Sequence, residues 1–305
     1  MTGATTAFEA FETREVEGDG ASIFVRRFGS GPPVLLLHGF PQTHLMWRAV
    51  APVLAERFTV ICADLRGYGR SSCPPSRPDH APYAKRAMAN DMVAVMETLG
   101  HPRFSIAGHD RGGRVAYRLA LDHPQRVERL AVLDIIPIVE AWERADKRLA
   151  TGYWPWSLLA QPAPLPERLL AAAPDAVVDN ALSGWGSAVE TFDAAVRTHY
   201  IEALRDGAHV HAICEEYRAA ATLDHAHDVS DRNAGRRIAC PVLVLWSGGG
   251  PLNAWYAEDG GPLALWRRWA GDVRGQALDG GHFFPEEIPQ RTAEDLGAFF
   301  ALPRE

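Results

Sequence analysis

Cysteine is scarce in this chain, and closely spaced cysteine pairs are absent. The 305 residues include only Cys62, Cys73, Cys214 and Cys240, none of which lies in a CxxC motif. Zinc sites and disulfide frameworks usually show such paired spacing. The sequence therefore indicates neither a zinc site nor a disulfide-stabilised fold.

Long apolar runs and blocks of like charge are missing as well. No stretch approaches the ~18 apolar residues that cross a bilayer, and residues 1–17 lack the basic start and apolar run of a secretory signal. The net charge of -7 is spread along the chain, without a basic arm for nucleic acid or anionic membranes. We expect a cytoplasmic protein with neither kind of partner.

Short, continuous apolar runs recur along the sequence. They occupy residues 34–37, 59–62, 104–107, 130–133 and 241–246. Runs without polar alternation are typical of strands that are covered on both faces, as in a parallel sheet. Helical patterns separate the runs, which predicts a doubly wound α/β fold with reactive groups at the carboxyl ends of the strands.

The composition and the hydrophobic pattern of the sequence change between about Pro137 and Asp231. Strand-like runs disappear there, and tryptophan, alanine and proline become frequent. We interpret this segment as a helical cap inserted into the sheet domain. The predicted division is a first core segment at residues 1–137, the cap at 138–231 and a second core segment at 232–305.

A candidate nucleophile follows the third apolar run. Residues 108–113 read Gly-His-Asp-Arg-Gly-Gly, which fits the G-x-nucleophile-x-G turn between a strand and a helix, with Asp110 as the nucleophile. The N–H groups of the following helix should keep Asp110 ionised. An ordinary helix N-cap aspartate is the alternative interpretation.

Two further motifs place this turn in a wider pattern. Residues 37–41, Leu-His-Gly-Phe-Pro, follow an apolar run, and 63–72 resemble a loop of the α/β-hydrolases. In that superfamily, backbone N–H groups after the His-Gly turn and after the nucleophile stabilise an anion. The matching donors are Phe40 and Arg111. We expect Asp64 and Arg66 to brace turns.

A histidine and a second acid complete the candidate triad. His282 lies in the glycine turn 280–285 before the last helical pattern, where a general base is expected. Asp134 follows the run 130–133 and can orient His282. An acid could instead follow the run at 241–246, but residues 247–252 contain no carboxylate, which favours Asp134.

An aspartate nucleophile limits the chemistry. Acyl transfer to a carboxylate gives an anhydride, whereas attack on an sp³ carbon gives a stable ester. Arg111 and Arg114 follow the nucleophile closely, and two guanidinium groups match a substrate carboxylate. A short 2-halo acid fits both features, unless Arg114 and Arg118 only form a solvated helix face.

The combination of motifs resembles the haloacetate (fluoroacetate) dehalogenases of the α/β-hydrolase superfamily, from about residue 24 to about 300. The motifs lie at residues 38–44, 108–114, 134–137, 159–162 and 281–283. The resemblance implies attack by Asp110 on the α-carbon, carboxylate binding by Arg111 and Arg114, and ester hydrolysis by His282 with Asp134. It also implies a homodimer that needs no metal or organic cofactor.

The same resemblance implies a halide pocket made of a His-Trp pair and a tyrosine. Trp156 and Tyr217 match two of these, but Pro155 stands at the histidine position and offers no donor. We therefore expect chloroacetate or bromoacetate to be better substrates than fluoroacetate, unless Trp154 or a water supplies the missing hydrogen bond. His109, Trp154 and Trp185 are weaker candidates for lining the pocket.

Two alternatives remain open at this point. An epoxide hydrolase would use the same Asp-Asp-His machinery, with Tyr217 and either Tyr153 or Tyr200 polarising the ring oxygen. Alternatively, the chain is a ligand-binding homologue that does not turn substrate over. Pro155 would then mark the loss of a catalytic site. The paired arginines disfavour the first alternative, and the complete triad disfavours the second.

Overall fold

The apolar runs of the sequence form the centre of a single sheet. The computed structural model describes residues 8–303, so the first seven residues of the predicted core segment 1–137 and the last two of 232–305 lie outside the described residues. Eight strands are found within 8–303: β1 (Glu12–Glu17), β2 (Ser22–Phe28), β3 (Pro33–Leu37), β4 (Thr59–Ala63), β5 (Phe104–His109), β6 (Val127–Leu133), β7 (Val242–Ser247) and β8 (Val273–Leu278).

The strands are arranged in the order β1-β2-β4-β3-β5-β6-β7-β8. β3 to β8 are parallel to one another, and β2 is antiparallel to both of its neighbours. The chain moves from β3 to β4 on one side and later to β5 on the other. This reversal opens a crevice at the carboxyl ends of β3 and β5, where α/β folds bind their ligands.

Helices connect the strands. Before the insertion they are α1 (Ala51–Ala55), α2 (Lys85–Thr98) and α3 (Asp110–Asp122), and after it they are α12 (Pro251–Trp255), α13 (Gly261–Arg267), α14 (Phe284–Glu287) and α15 (Pro289–Phe300). Short 3₁₀ turns occupy His44–Trp47, Ala81–Tyr83 and Ala257–Asp259.

Apolar side chains cover both faces of the sheet. In β3, Leu35 and Leu37 belong to one buried cluster with α2 and α3, whereas Val34 and Leu36 belong to a second cluster with α1 and α15. A fully buried side chain of this size contributes roughly 1.5–3 kcal/mol. The need to bury both faces explains why these strands are uninterrupted apolar runs, and the predicted doubly wound α/β architecture is confirmed.

The chain between β6 and β7 is helical throughout. Its elements are α4 (Ile138–Glu143), α5 (Lys147–Gly152), α6 (Trp154–Leu158), α7 (Leu165–Ala172), α8 (Pro174–Gly184), a 3₁₀ turn (Val189–Thr191), α9 (Ala194–Ala203), α10 (Gly207–Ala219), a π turn (Ala220–Asp224) and α11 (His225–Asn233). On this basis we propose residues 138–231 as the cap. Among the described residues, no helix combines the length and apolar character needed to cross a membrane.

Candidate active site

Asp110 stands on a strained turn between β5 and α3. Its φ angle of 45° lies in the left-handed region, which costs roughly 1–3 kcal/mol for a non-glycine residue. Close packing leaves room only for glycine beside it: a Cβ on Gly112 would lie 2.4 Å from the His38 carbonyl oxygen, and one on Gly39 would lie 2.5 Å from the Asp110 Cβ. The turn has the geometry that presents a nucleophile at the sheet edge.

A backbone donor faces the Asp110 carboxylate from the neighbouring strand end. The Phe40 N–H donates to Asp110 Oδ2 at 3.0 Å, across the crevice between β3 and β5. The Arg111 N–H belongs to the first turn of α3, whose N–H groups have no partner within the helix. The Phe40 N–H therefore contacts the carboxylate, whereas the role of the Arg111 N–H stays a proposal.

Asp134 and His282 are in direct hydrogen-bond contact. His282 Nδ1 lies 2.5 Å from Asp134 Oδ2, and Ser247 N–H at the end of β7 donates to Asp134 Oδ1 at 2.8 Å. β7 is the strand after which an alternative acid could have stood. Its last residue, Ser247, instead holds Asp134 in place. Burial opposes a charged imidazole, but the Asp134 hydrogen bond and negative charge outweigh it and raise the pKa of His282.

Positive groups keep the Asp110 carboxylate ionised. Burial alone would raise the pKa of Asp110, but the charges of His282 and then Arg111 outweigh burial and lower it. An ionised carboxylate is the form that can attack carbon. The electrostatics of the site therefore suit a nucleophile at Asp110 and a proton acceptor at His282.

A cavity of about 20 Å³ connects these groups with the cap. Its lining comprises Asp110, Arg114, Asp134 and His282 from the core and Tyr153, Pro155, Trp156, Trp185 and Tyr217 from the cap. A volume this small admits a ligand of only a few non-hydrogen atoms. Among the described residues, no group of three or more histidine, cysteine, aspartate or glutamate side chains is placed to hold a metal ion.

The two arginines after the nucleophile differ in their surroundings. Arg114 lines the cavity, packs its guanidinium 4.5 Å from the Trp156 ring centre and donates from Nη1 to the Ile136 carbonyl at 2.8 Å. Arg111 lies 4.0 Å from the Tyr217 ring centre. Glu216 on α10 accepts from Arg111 Nε and Nη2 at 2.5–2.9 Å.

Each guanidinium nevertheless keeps one uncommitted donor. Arg111 Nη1 and Arg114 Nε are buried and have no hydrogen-bond partner within residues 8–303. Buried charged donors are normally satisfied, so unpartnered ones indicate a place for a ligand atom. The acceptor that suits two such donors is a carboxylate.

Known proteins resemble the chain over nearly its whole length. Residues 32–284 match the family model described as the alpha/beta hydrolase fold. A fluoroacetate dehalogenase from Burkholderia sp. is 45% identical over 97% of this chain and 96% of its own. The chain belongs to the haloacetate dehalogenase family of the α/β-hydrolase superfamily.

One solved structure and one further relative by sequence support the same fold. The crystal structure of a suspected α/β hydrolase from Nostoc sp. PCC 7120 superposes with a TM-score of 0.93, at 47% identity, covering 97% of this chain and 100% of that chain. A soluble epoxide hydrolase from Corynebacterium sp. is 31% identical over 90% of this chain and 91% of its own. The superfamily thus includes both chemistries considered from the sequence.

Three residues that the sequence predicts to bind substrate or line the pocket do not line the cavity. Trp154 turns away at the start of α6, where its indole N–H donates to Asn180 Oδ1 at 2.7 Å. His109 lies behind His282, with ring centres 4.6 Å apart, and contacts the His282 carbonyl through Nε2 at 2.7 Å. Burial lowers the pKa of His109 to about 4, so its neutral ring donates that hydrogen bond. Arg111 is likewise not among the residues that line the cavity.

Other expected residues do reach the cavity or brace its surroundings. The cavity is lined by Trp156, Tyr217 and Trp185. The Trp185 indole N–H, however, donates to the Gly152 carbonyl at 2.7 Å. Asp64 accepts from the His44 N–H, and Arg66 pairs with Asp91. Both therefore brace loops, as the sequence predicts.

Sequence reasoning missed Glu216 and did not use Tyr153 for dehalogenation. Lys85 on α2 also contacts the Glu216 carboxylate, so one cap residue joins two core cations. The only signal was the acidic pair Glu215-Glu216 just before Tyr217. The sequence predicts a role for the Tyr153 phenol only in the epoxide hydrolase alternative.

Proposed function

We propose that this protein hydrolyses a short 2-halo carboxylic acid to the 2-hydroxy acid and halide, with haloacetate giving glycolate. The observation that carries the proposal is the pairing of an ionised aspartate on a nucleophile turn with unpartnered arginine donors beside it. The relationship to the Burkholderia fluoroacetate dehalogenase supports the same reaction.

In the first step, an Asp110 oxygen attacks the α-carbon. The new carbon-oxygen bond forms while the carbon-halogen bond breaks, and the halide departs with the bonding electron pair. The product is an ester between Asp110 and the substrate carbon. Trp156 and Tyr217 line the cavity, and their indole N–H and phenol O–H would donate to the departing halide.

In the second step, His282 takes a proton from a water molecule. The water oxygen attacks the Asp110 carboxyl carbon, and the Phe40 N–H stabilises the negative charge on the carboxyl oxygen. The ester bond breaks and the departing alkoxide oxygen takes the proton from His282. The second proton of the water is then released from the Asp110 carboxyl group to solvent, which restores the carboxylate. Asp134 orients His282 and stabilises its charged form.

The substrate carboxylate would bind Arg114, which lines the cavity. Arg111 does not line the cavity, but its guanidinium contacts the same Trp156 ring as that of Arg114, and its unpartnered Nη1 would donate to the carboxylate from behind. Glu216 and the aromatic rings hold both guanidinium groups in place, with Arg111 Nη1 and Arg114 Nε left to donate. Fixed charged donors give strong and directional binding. The small volume of the cavity favours a short acid.

Halide release tests the proposal. Purified protein is incubated separately with fluoroacetate, chloroacetate and bromoacetate, and both halide and glycolate are quantified. We expect equal amounts of glycolate and halide, with chloride and bromide released faster than fluoride. An absence of halide from all three acids would refute the proposal.

Epoxide hydrolysis is the second candidate because Tyr153 and Tyr217 both line the cavity with Asp110. Such a phenol pair could polarise a ring oxygen. Diol formation from styrene oxide without halide release from chloroacetate would favour it. Haloacetate binding without turnover would instead favour the ligand-binding alternative.

Two further features belong to the same proposal. The family resemblance suggests a homodimer, and we also propose a location in the cytoplasm. Light scattering of the purified chain tests the first, and fractionation of the producing cell tests the second.

A further inference from the structure

Tyr153 is a phenol beside the reacting groups that the steps above leave without a role in dehalogenation. Its Oη is buried and has no hydrogen-bond partner among residues 8–303. Burial removes a hydroxyl from water, and this loss is normally offset by a protein partner. The unpartnered Oη therefore indicates that this hydroxyl serves a ligand atom.

The position of Tyr153 identifies which ligand atom this could be. It lines the cavity together with Asp110, Tyr217 and His282. Burial, followed by the carboxylates of Asp134 and Asp110, raises the pKa of Tyr153 well above its usual value. The hydroxyl therefore stays protonated and acts as a donor, which suits an electronegative atom that gains negative charge.

Aromatic contacts hold the phenol in one place. The Tyr153 ring lies edge-on to Trp185, at 5.3 Å between ring centres, and to Trp255, at 5.1 Å. Its backbone N–H donates to the Leu149 carbonyl at 2.8 Å. A donor that is fixed before the reaction stabilises developing charge without having to reorganise.

We propose that Tyr153 is a catalytic residue that donates a hydrogen bond from Oη to the halogen as it leaves the α-carbon. This inference rests on the proposed function. Asp110 forms the bond to carbon, the halide takes the electron pair, and the proton remains on Tyr153 throughout. Pro155 has no side-chain donor and no backbone N–H, so Tyr153 adds a third donor to those of Trp156 and Tyr217.

The leaving-group dependence of Tyr153→Phe tests this role. The ratio kcat/KM is measured for fluoroacetate, chloroacetate and bromoacetate, because it reports the steps up to halide departure. Fluoride is the poorest leaving group and depends most on donors. We expect a loss of roughly 10- to 100-fold on fluoroacetate, a smaller loss on chloroacetate and the smallest on bromoacetate. If wild type releases only chloride and bromide, the comparison is made between those two.

A stability measurement separates this role from a structural one. Phenylalanine keeps the ring contacts with Trp185 and Trp255, and the lost hydroxyl has no protein partner, so Tyr153→Phe should unfold at the same temperature as wild type or higher. The matched control is Tyr83→Phe, which loses a hydrogen bond from Oη to the Pro74 carbonyl outside the cavity. That control should lower Tm and leave kcat/KM unchanged.

Three results would overturn the inference. Unchanged kcat/KM in Tyr153→Phe, or an equal loss on every halide, would remove the leaving-group role while wild-type halide release still supports the proposed function. No halide release by wild type would overturn the inference and the proposed function together.

Discussion

Glu216 of the cap and Arg111 of the core form a bidentate ion pair that is completely buried. Arg111 Nε lies 2.8 and 2.9 Å from the two Glu216 oxygens, and Nη2 lies 2.5 Å from Oε1. Lys85 contacts the same carboxylate. The pair fixes the guanidinium of the residue that follows Asp110 and links the proposed cap to the core.

Glu216→Gln should destabilise the protein. It removes the negative charge that compensates Arg111 and Lys85, and breaking a buried pair in this way costs about 3–5 kcal/mol. Urea unfolding measures the change in the free energy of unfolding. The control is Glu215→Gln, which affects contacts with Arg218 and His80. It should cost less because Arg218 keeps its second carboxylate partner, Glu167. Equal stability of Glu216→Gln and wild type would contradict this account.

Arg114→Gln should weaken the recognition of the substrate carboxylate. A hydrogen bond to a charged group contributes about 1.5–3 kcal/mol, which corresponds to a loss of roughly 10- to 100-fold in kcat/KM on chloroacetate. Chloroacetamide has no negative charge and serves as the control substrate. The variant should lose far less activity on chloroacetamide, and equal losses on both would argue against carboxylate binding by Arg114.

The hydrolysis of the ester should depend on the protonation of His282. Neutral imidazole accepts the proton from water, so the rate falls as pH decreases through the raised pKa of His282. The half-maximal pH should therefore lie above that of an ordinary histidine. The measurement is kcat for bromoacetate between about pH 5 and pH 8.

Asp134→Asn checks the cause of that pKa shift. The substitution removes the charge that raises the pKa of His282, so the half-maximal pH should move to a lower value. The plateau rate should also fall, because the charged imidazole loses its partner. A profile with an unchanged midpoint would show that Asp134 does not set the pKa.

The central strands were predictable because their burial on both faces produces uninterrupted apolar runs. All five runs occur in strands of the sheet. The edge strands lack such a run: β1 has the sequence ETREVE with only Val16 buried, and β8 is mostly exposed or half-buried. Edge strands contact solvent, so their composition carries a weaker signal.

The sequence predicts those site residues whose place in the fold follows from the strand that they come after. Asp110, Asp134 and His282 follow β5, β6 and β8, and neighbouring parallel strands bring their carboxyl ends together. Contacts between the cap and the core were not predictable in this way. Glu216 lies 105 positions from Arg111, and the turn at the start of α6 directs Trp156, but not Trp154, into the cavity.

The central claim is that Asp110 forms an ester that His282 later hydrolyses. His282→Asn removes the proton acceptor while leaving Asp110 in place, so the intermediate should accumulate. Mass spectrometry of this variant after exposure to chloroacetate measures it directly. The account predicts the added mass of one carboxymethyl group on the peptide that contains Asp110, and no addition in the double variant with Asp110→Asn. Chloride release by wild type without any adduct in His282→Asn would contradict the covalent mechanism.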